Sequence, residues 1–200
     1  MNDFIFASSS PRRIEIVKKL DLNISFVHHE YEENNNLSKS PDELVIYNAT
    51  QKAKSISSKY KDKYIFASDT LVFFQNKAVG KPKNKKDALK ILTKLNDNFH
   101  LVVTSIVCLR SRNTLFSKTK TSLVQTNNMS TDKINKYIDT RYFRDKAGGY
   151  GIQNKDFDFV KVFFGCYENI LGIPTCLIKE CIAEINLEKI YNFSSCRRMR

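Results

Sequence analysis

The chain contains no apolar run near the roughly 18 residues that a membrane-spanning helix requires, and the apolar stretch close to its first residue is far too short for a signal-peptide core. A soluble, cytoplasmic protein with no membrane attachment is expected. Cysteine is sparse: Cys108, Cys166, Cys176, Cys181 and Cys196 are odd in number, show no CxxC spacing and mostly lie in apolar contexts, which points to reduced, buried thiols. His28, His29 and His100 show no HExxH or other zinc spacing, so none is assigned to a metal. Covalent acyl chemistry is disfavoured, because there is no GxSxG elbow and no cysteine has a histidine partner by local motif. Neither GxxxxGK[ST] nor GxGxxG occurs, which excludes a Walker loop and a dinucleotide fingerprint. Internal repeats and long linkers are also missing.

What is present suits a folded soluble domain: 42% hydrophobic and 12% aromatic residues against 27% charged, in 200 residues. The expected organisation is a single α/β domain over residues 1–190 and a basic tail over 191–200. An excess of 33 Lys and Arg over 21 Asp and Glu gives a formal charge of +12, which favours polyanions as a class without choosing among them. Residues 51–90 carry eleven lysines against three acids. A solvated lysine-rich surface and a functional cluster both fit that density.

The segment 4–13, FIFASSSPRR, is the most informative. An apolar strand delivers a hydroxyl-rich turn to a helix start, with Ser10 at the N-cap, Pro11 at the first helical position and Ile14, Ile16, Val17 and Leu20 as apolar positions. Free amides and the positive end of the helix dipole favour phosphate there, and Arg12 and Arg13 add planar donor forks. Further along, 24–28 reads as a short strand, 30–40 as a polar loop, and Ser40-Pro41-Asp42-Glu43 as a capping box opening a helix to about residue 58. Residues 64–67 read as a strand ending at Ser68-Asp69-Thr70, with 71–74 extended. Gly80-Lys81-Pro82 breaks the pattern before a helix capped by Asn84 and Asp87. Strands at 100–110 and 115–125 should pair antiparallel, followed by a helix at 131–139, the glycine-rich DKAGGYGIQ at 145–153, a strand at 157–163 and a helix at about 174–186.

Asp69, placed after an apolar strand, suits either a cation-holding carboxylate at a sheet mouth or a turn-forming Asp. Glu32 and Glu33 offer a second carboxylate or are merely solvated. Lys52 lies on an alanine-containing helix face with Ala49 and Ala53, and Lys81 in a stiff turn. DKAGGYGIQ is either a tight turn or a loop that brings Lys146 and Gln153 to a ligand.

Taken in order, ASSSPRR, Glu32-Glu33, Ala49 to Ala53, ASDT, GKP, His100 with Val103-Thr104, DKAGGYGIQ and GCYENILGIP resemble the Maf family of nucleotide pyrophosphatases over residues 4–185. The resemblance implies an α/β fold akin to the inosine-triphosphate pyrophosphatases, a mixed twisted sheet with flanking helices and two lobes around a cleft. It also implies a homodimer and divalent-metal (Mg²⁺ or Mn²⁺) hydrolysis of nucleoside triphosphates to monophosphate and pyrophosphate. Members with SPRR and Asp-Thr act on dTTP and UTP, those with SPWR and Asp-Gln on 7-methyl-GTP; Arg12 and Thr70 place this chain with the former.

By the same resemblance, Ser8, Arg12 and Arg13 fall in the phosphate turn, Glu33 and Asp69 form the acidic metal-holding pair, Asp69 accepts a proton, and Lys52, Lys81 and Gln153 surround the substrate. Two departures stand out: Tyr142-Phe143 where relatives have Glu-Pro, which bears on base selectivity, and Asn96-Asp97 where they have a Ser-Gly turn. The alternatives are a 7-methyl-GTP pyrophosphatase, a non-catalytic nucleic-acid-binding protein, or a division regulator acting through a partner. Nucleic acid is disfavoured because no RNA-recognition or zinc-finger signature occurs.

Overall fold

The computed structural model describes residues 4–20, 22–154 and 156–185. FIFA forms β1 (Phe4–Ala7), buried along its whole length between two parallel neighbours, β2 (Ile24–Val27) and β3 (Tyr64–Phe74). A strand covered on both edges and both faces has no use for polar residues, which explains the unbroken apolar run. The crossovers are α1 (Pro11–Lys18) and α2 (Pro41–Ser57). β3 then pairs antiparallel with β5 (Phe99–Arg110), β5 with β6 (Asn113–Thr126), and β6 with β7 (Val160–Phe164). β4 (Lys77–Val79) folds back on the end of β3 through Gln75 and Asn76, both at positive φ. The result is one mixed seven-stranded sheet in the order β2-β1-β3-β5-β6-β7, with β4 beside β3.

Strand alternation sends alternate residues to two faces. Ile5, Ala7, Ile65 and Ala67 meet Ala49, Ala53 and Ile56 of α2, where the alanines let helix and sheet approach closely. Phe4, Phe6, Phe66 and Ile106 meet Val17 and the apolar side of α6 (Thr175–Glu184). A third cluster gathers α3 (Lys85–Leu95), α4 (Thr131–Asp139) and the 3-10 turn Ala147–Gly149 around Tyr137, Phe143 and Tyr150. This is the expected α/β architecture, a mixed sheet with flanking helices.

β3 is longer than its sequence suggests. It does not end at Ala67 but runs through Ser68, Asp69 and Thr70, because β5 keeps pairing with it from Ile65 to Phe73. Its other edge is less complete. β1 covers it only to Ala67 and β4 only from Val72, so residues 68–71 keep an open edge between two neighbours. Asp69 therefore lies inside a strand, at a gap in the sheet rather than at its end.

Smaller differences follow from packing. The last predicted strand begins at Val160 instead of 157, since Phe157 and Phe159 turn onto the Tyr137 ring with centroids 5.4 and 4.5 Å away. The sequence reading overlooks β4 and the short α5 (Tyr167–Ile170). Leu20 falls just beyond α1. Asn186, Cys196 and the 191–200 tail lie outside the described residues.

Candidate active site

The gap beside β3 opens into a cleft of about 270 Å³ bordered by the Ser8–Arg13 turn, the loop before α2, Lys81, the glycine-rich segment and the turn after α5. Beneath it lies a chain of buried charge. Asn48 and Lys52, one helical turn apart on α2, are 0% and 1% exposed and both address Asp69, itself 1% exposed. Lys52 Nζ donates to Asp69 Oδ1 at 2.5 Å and to Glu33 Oε1 at 2.6 Å, and Asn48 Nδ2 donates to Asp69 Oδ2 at 3.2 Å. Asn48 is held in turn by Tyr31, whose hydroxyl donates to its Oδ1, and it also donates to Asn35. Lys81 Nζ approaches Glu33 Oε1 at 3.3 Å from the open side. Burial works against ionisation of Glu33, but Lys52, Lys81 and Arg13 outweigh it and pull its pKa down to about 2. One cation thus bridges two carboxylates that would otherwise repel each other.

The two arginines of the turn divide. Arg13 Nε donates to the Gly172 carbonyl, one terminal nitrogen to the Ser68 carbonyl and the other to Thr70 Oγ1, at 2.8, 3.1 and 2.7 Å. It fastens α1 to the open edge of β3 and to the turn at Gly172. Arg12 lines the same cleft, yet its buried Nε has no hydrogen-bond partner. A buried unsatisfied guanidinium nitrogen is costly, and an incoming anion would relieve it. Ser8, Ser9 and Ser10 line the cleft beside it, and the first amides of α1 lack intrahelical acceptors. Ser10 occupies the N-cap position without a side-chain cap bond, its amide donating instead to Ser8 Oγ.

The opposite wall is less polar. Val72, Val102, Ala147, Tyr150, Ile152 and Leu171 supply surface, with Gln153 exposed at the edge. Tyr150 is fixed from behind by His100, whose Nε2 lies 2.6 Å from its hydroxyl. Burial draws the His100 pKa down to about 4. His29, also lining the cleft, falls to about 4 through burial, then through Lys52 and His28.

The sequence-derived residues Ser8, Arg12, Arg13, Glu33, Lys52, Lys81 and Gln153 all border this one cleft. Asp69 is reached through Lys52, which covers it. Glu32 is exposed and does not border the cleft. Sequence reasoning missed Tyr31, Asn35 and Asn48, although the spacing of Asn48 and Lys52 by four on a helix was a usable signal. Among the described residues no cluster of three or more His, Cys, Asp and Glu gathers around one point. Two carboxylates converging beside a phosphate-sized opening nevertheless fit a hard divalent cation, which commonly takes one or two protein carboxylates and draws its other oxygens from phosphate and water.

A family model described as Maf-like protein matches residues 3–185. A dTTP/UTP pyrophosphatase of Dehalococcoides mccartyi is 35% identical over 184 residues, 92% of this chain and 82% of that protein. One of Dictyoglomus thermophilum is 36% identical over 174 residues, 86% and 90% of the two chains. Among solved structures, a HAM1 protein from Coxiella burnetii aligns with a TM-score of 0.49 at 15% identity, covering 92% of this chain and 98% of that one.

Proposed function

This chain belongs to the Maf-like protein family, and from that premise we propose that it hydrolyses nucleoside triphosphates of the dTTP/UTP type to the monophosphate and pyrophosphate. The observation that carries this reading is the meeting, in one cleft, of Arg12, whose buried Nε has no hydrogen-bond partner, with Glu33 and Lys52, the ammonium of Lys52 bridging Glu33 to Asp69 beneath. Water attacks the α-phosphorus, the bond to the bridging oxygen breaks, pyrophosphate leaves, and Asp69 accepts the proton. Arg12, the Ser8–Ser10 turn and Lys81 neutralise the phosphates, and Lys52 passes from the carboxylates to phosphate oxygens as Asp69 takes up its role. A divalent cation, Mg²⁺ or Mn²⁺, held by Asp69 and Glu33 would add neutralisation of phosphate charge. Arg13 contributes by fixing the turn.

The same reading takes residues 1–190 as one domain, with 191–200 a tail, in a cytoplasmic homodimer. The buried thiols of Cys108 and Cys181 agree with a reducing compartment, and exposed Phe99, Leu101, Val162 and Phe164 offer apolar surface for self-association. No helix among the described residues is long and apolar enough to cross a membrane.

Pyrophosphate release measured across dTTP, UTP, CTP and 7-methyl-GTP, with and without EDTA, tests the proposal. Turnover of dTTP and UTP that chelation abolishes is expected. Preference for the methylated purine would overturn the substrate class, full activity in EDTA the metal, and near wild-type turnover by Asp69→Asn the role of that carboxylate.

A further inference from the structure

Lys146 is a second buried cation in the cleft wall, and the mechanism above does not use it. Only 4% of it is exposed, yet it lines the cleft. Its Nζ donates to the Tyr142 carbonyl at 2.6 Å and to Asp145 Oδ1 at 2.5 Å, and lies 3.6 Å from the centroid of the Tyr142 ring. Gly151 completes the packing: a Cβ there would stand 2.8 Å from Tyr142 Cε1 and 2.9 Å from Lys146 Cε. The bare backbone of the loop leading to Ile152 and Gln153 therefore rests directly on the stacked pair. An ammonium has three hydrogens and no acceptor. Two oxygens take two of them, the aromatic face stabilises the charge, and one donor is left for a ligand.

We propose that Lys146, positioned by the Tyr142 ring and by Asp145, reads the nucleobase as a pure donor and selects uracil and thymine, which present a carbonyl at position 4, over cytosine, which presents an amino group there. The inference rests on the reading of the cleft as a pyrimidine nucleotide site. It follows from chemistry: a donor-only group gains a charge-assisted hydrogen bond from a carbonyl oxygen and meets another donor at the cytosine amine. Tyr142, 38% exposed, is here a positioning residue whose ring acts through the ammonium.

The test compares kcat/KM for UTP and CTP in wild type, Lys146→Met, Tyr142→Phe and Tyr142→Leu. Wild type is expected to favour UTP, and Lys146→Met to shrink the UTP:CTP ratio about 10–100-fold, chiefly through loss on UTP. Tyr142→Phe, which keeps ring and backbone carbonyl, retains the ratio, whereas Tyr142→Leu lowers it about 2–10-fold. An equal fall for both nucleotides in Lys146→Met, a wild type indifferent between them, or a Tyr142→Leu ratio equal to wild type would overturn the inference. Should Lys146→Met fail to fold, the exposed Tyr142 pair decides. Calorimetric binding of UMP and CMP reads the same preference without turnover. A chain that hydrolyses nothing but still prefers UMP would lose the proposed reaction and keep this inference; a chain that hydrolyses both and binds both alike would do the reverse.

Discussion

Adjacent arginines in one motif have been given different work by their surroundings. Arg13 has its donors on two carbonyls and a hydroxyl, so Arg13→Lys, which cannot reproduce the fork, is expected to cost about 1–3 kcal/mol and lower Tm by several degrees. Arg12→Ala is expected to leave Tm nearly unchanged and reduce kcat/KM by about 10²–10³. Thermal melts alongside pyrophosphate-release kinetics separate the two. The titrating groups give a second residue-level expectation. His29 and His100 are held near pH 4 in the fold, while an unfolded histidine protonates near about 6.5. Between those values the unfolded chain binds more protons, so stability falls as pH drops from about 6.5 to 4. Glu33, depressed to about 2, contributes stability that is present above about 4.3 and lost as pH falls toward 2. Urea unfolding across this range should lose its upper slope in part with His100→Asn and its lower slope with Glu33→Gln. None of this was legible from residue types alone: SPRR reads as two like donors, and only the open edge of β3 and the Gly172 carbonyl show that those of Arg13 are already engaged.

Helices were the most readable elements, because their ends carry local chemistry. The capping box at Ser40 and Glu43 and the Asn84–Asp87 cap form as the sequence predicts, and α4 spans the predicted 131–139. Ser40→Ala should cost about 1 kcal/mol, lowering Tm by about 2–4 °C with kcat unchanged, since the cap lies about two turns from Asn48 and about three from Lys52. Strand extents were harder to read. The polar Ser68-Asp69-Thr70 resembles a strand end, and its continuation depends on pairing with Ile106, Ser105 and Thr104 of β5, far away in sequence. β7 likewise gave up three predicted residues to aromatic packing. The glycine-rich segment is where two elements are joined: the Gly148 amide donates to the Gly80 carbonyl, and a Cβ on Gly149, at φ +74°, would stand 2.9 Å from Pro82 Cγ. Gly149→Ala therefore strains its own backbone and pushes against the turn that carries Lys81. A drop in Tm together with a raised KM for the triphosphate is the expected signature; a drop in Tm alone would mean that the turn gives way without moving Lys81.

At the scale of the whole molecule, the charge of +12 is inherited by the cleft mouth. Lys81 lines the cleft itself, where it meets Glu33, and Lys83, Lys85, Lys86 and Arg144 line a second hollow, where Lys85 is paired to Asp139. The sequence displayed this density between residues 51 and 90 but left open whether it was a solvated face or a functional one. The fold sets part of it next to the cleft that holds Arg12. A field of one sign around a concave, low-dielectric opening raises the local concentration of an anionic substrate and accelerates its encounter. Its reach is the Debye length, about 10 Å at 0.1 M salt, so added salt should remove the benefit without touching the chemical step. Raising salt from about 20 to about 200 mM is therefore expected to lower kcat/KM for UTP by about tenfold while kcat stays level. A Lys83→Glu/Lys86→Glu double variant, altering neither the phosphate turn nor the carboxylates, should start lower and respond less steeply to salt. If kcat falls in parallel with kcat/KM, or if the double variant keeps the full salt slope, the basic rim is a solvated surface and the attraction comes from the cleft alone.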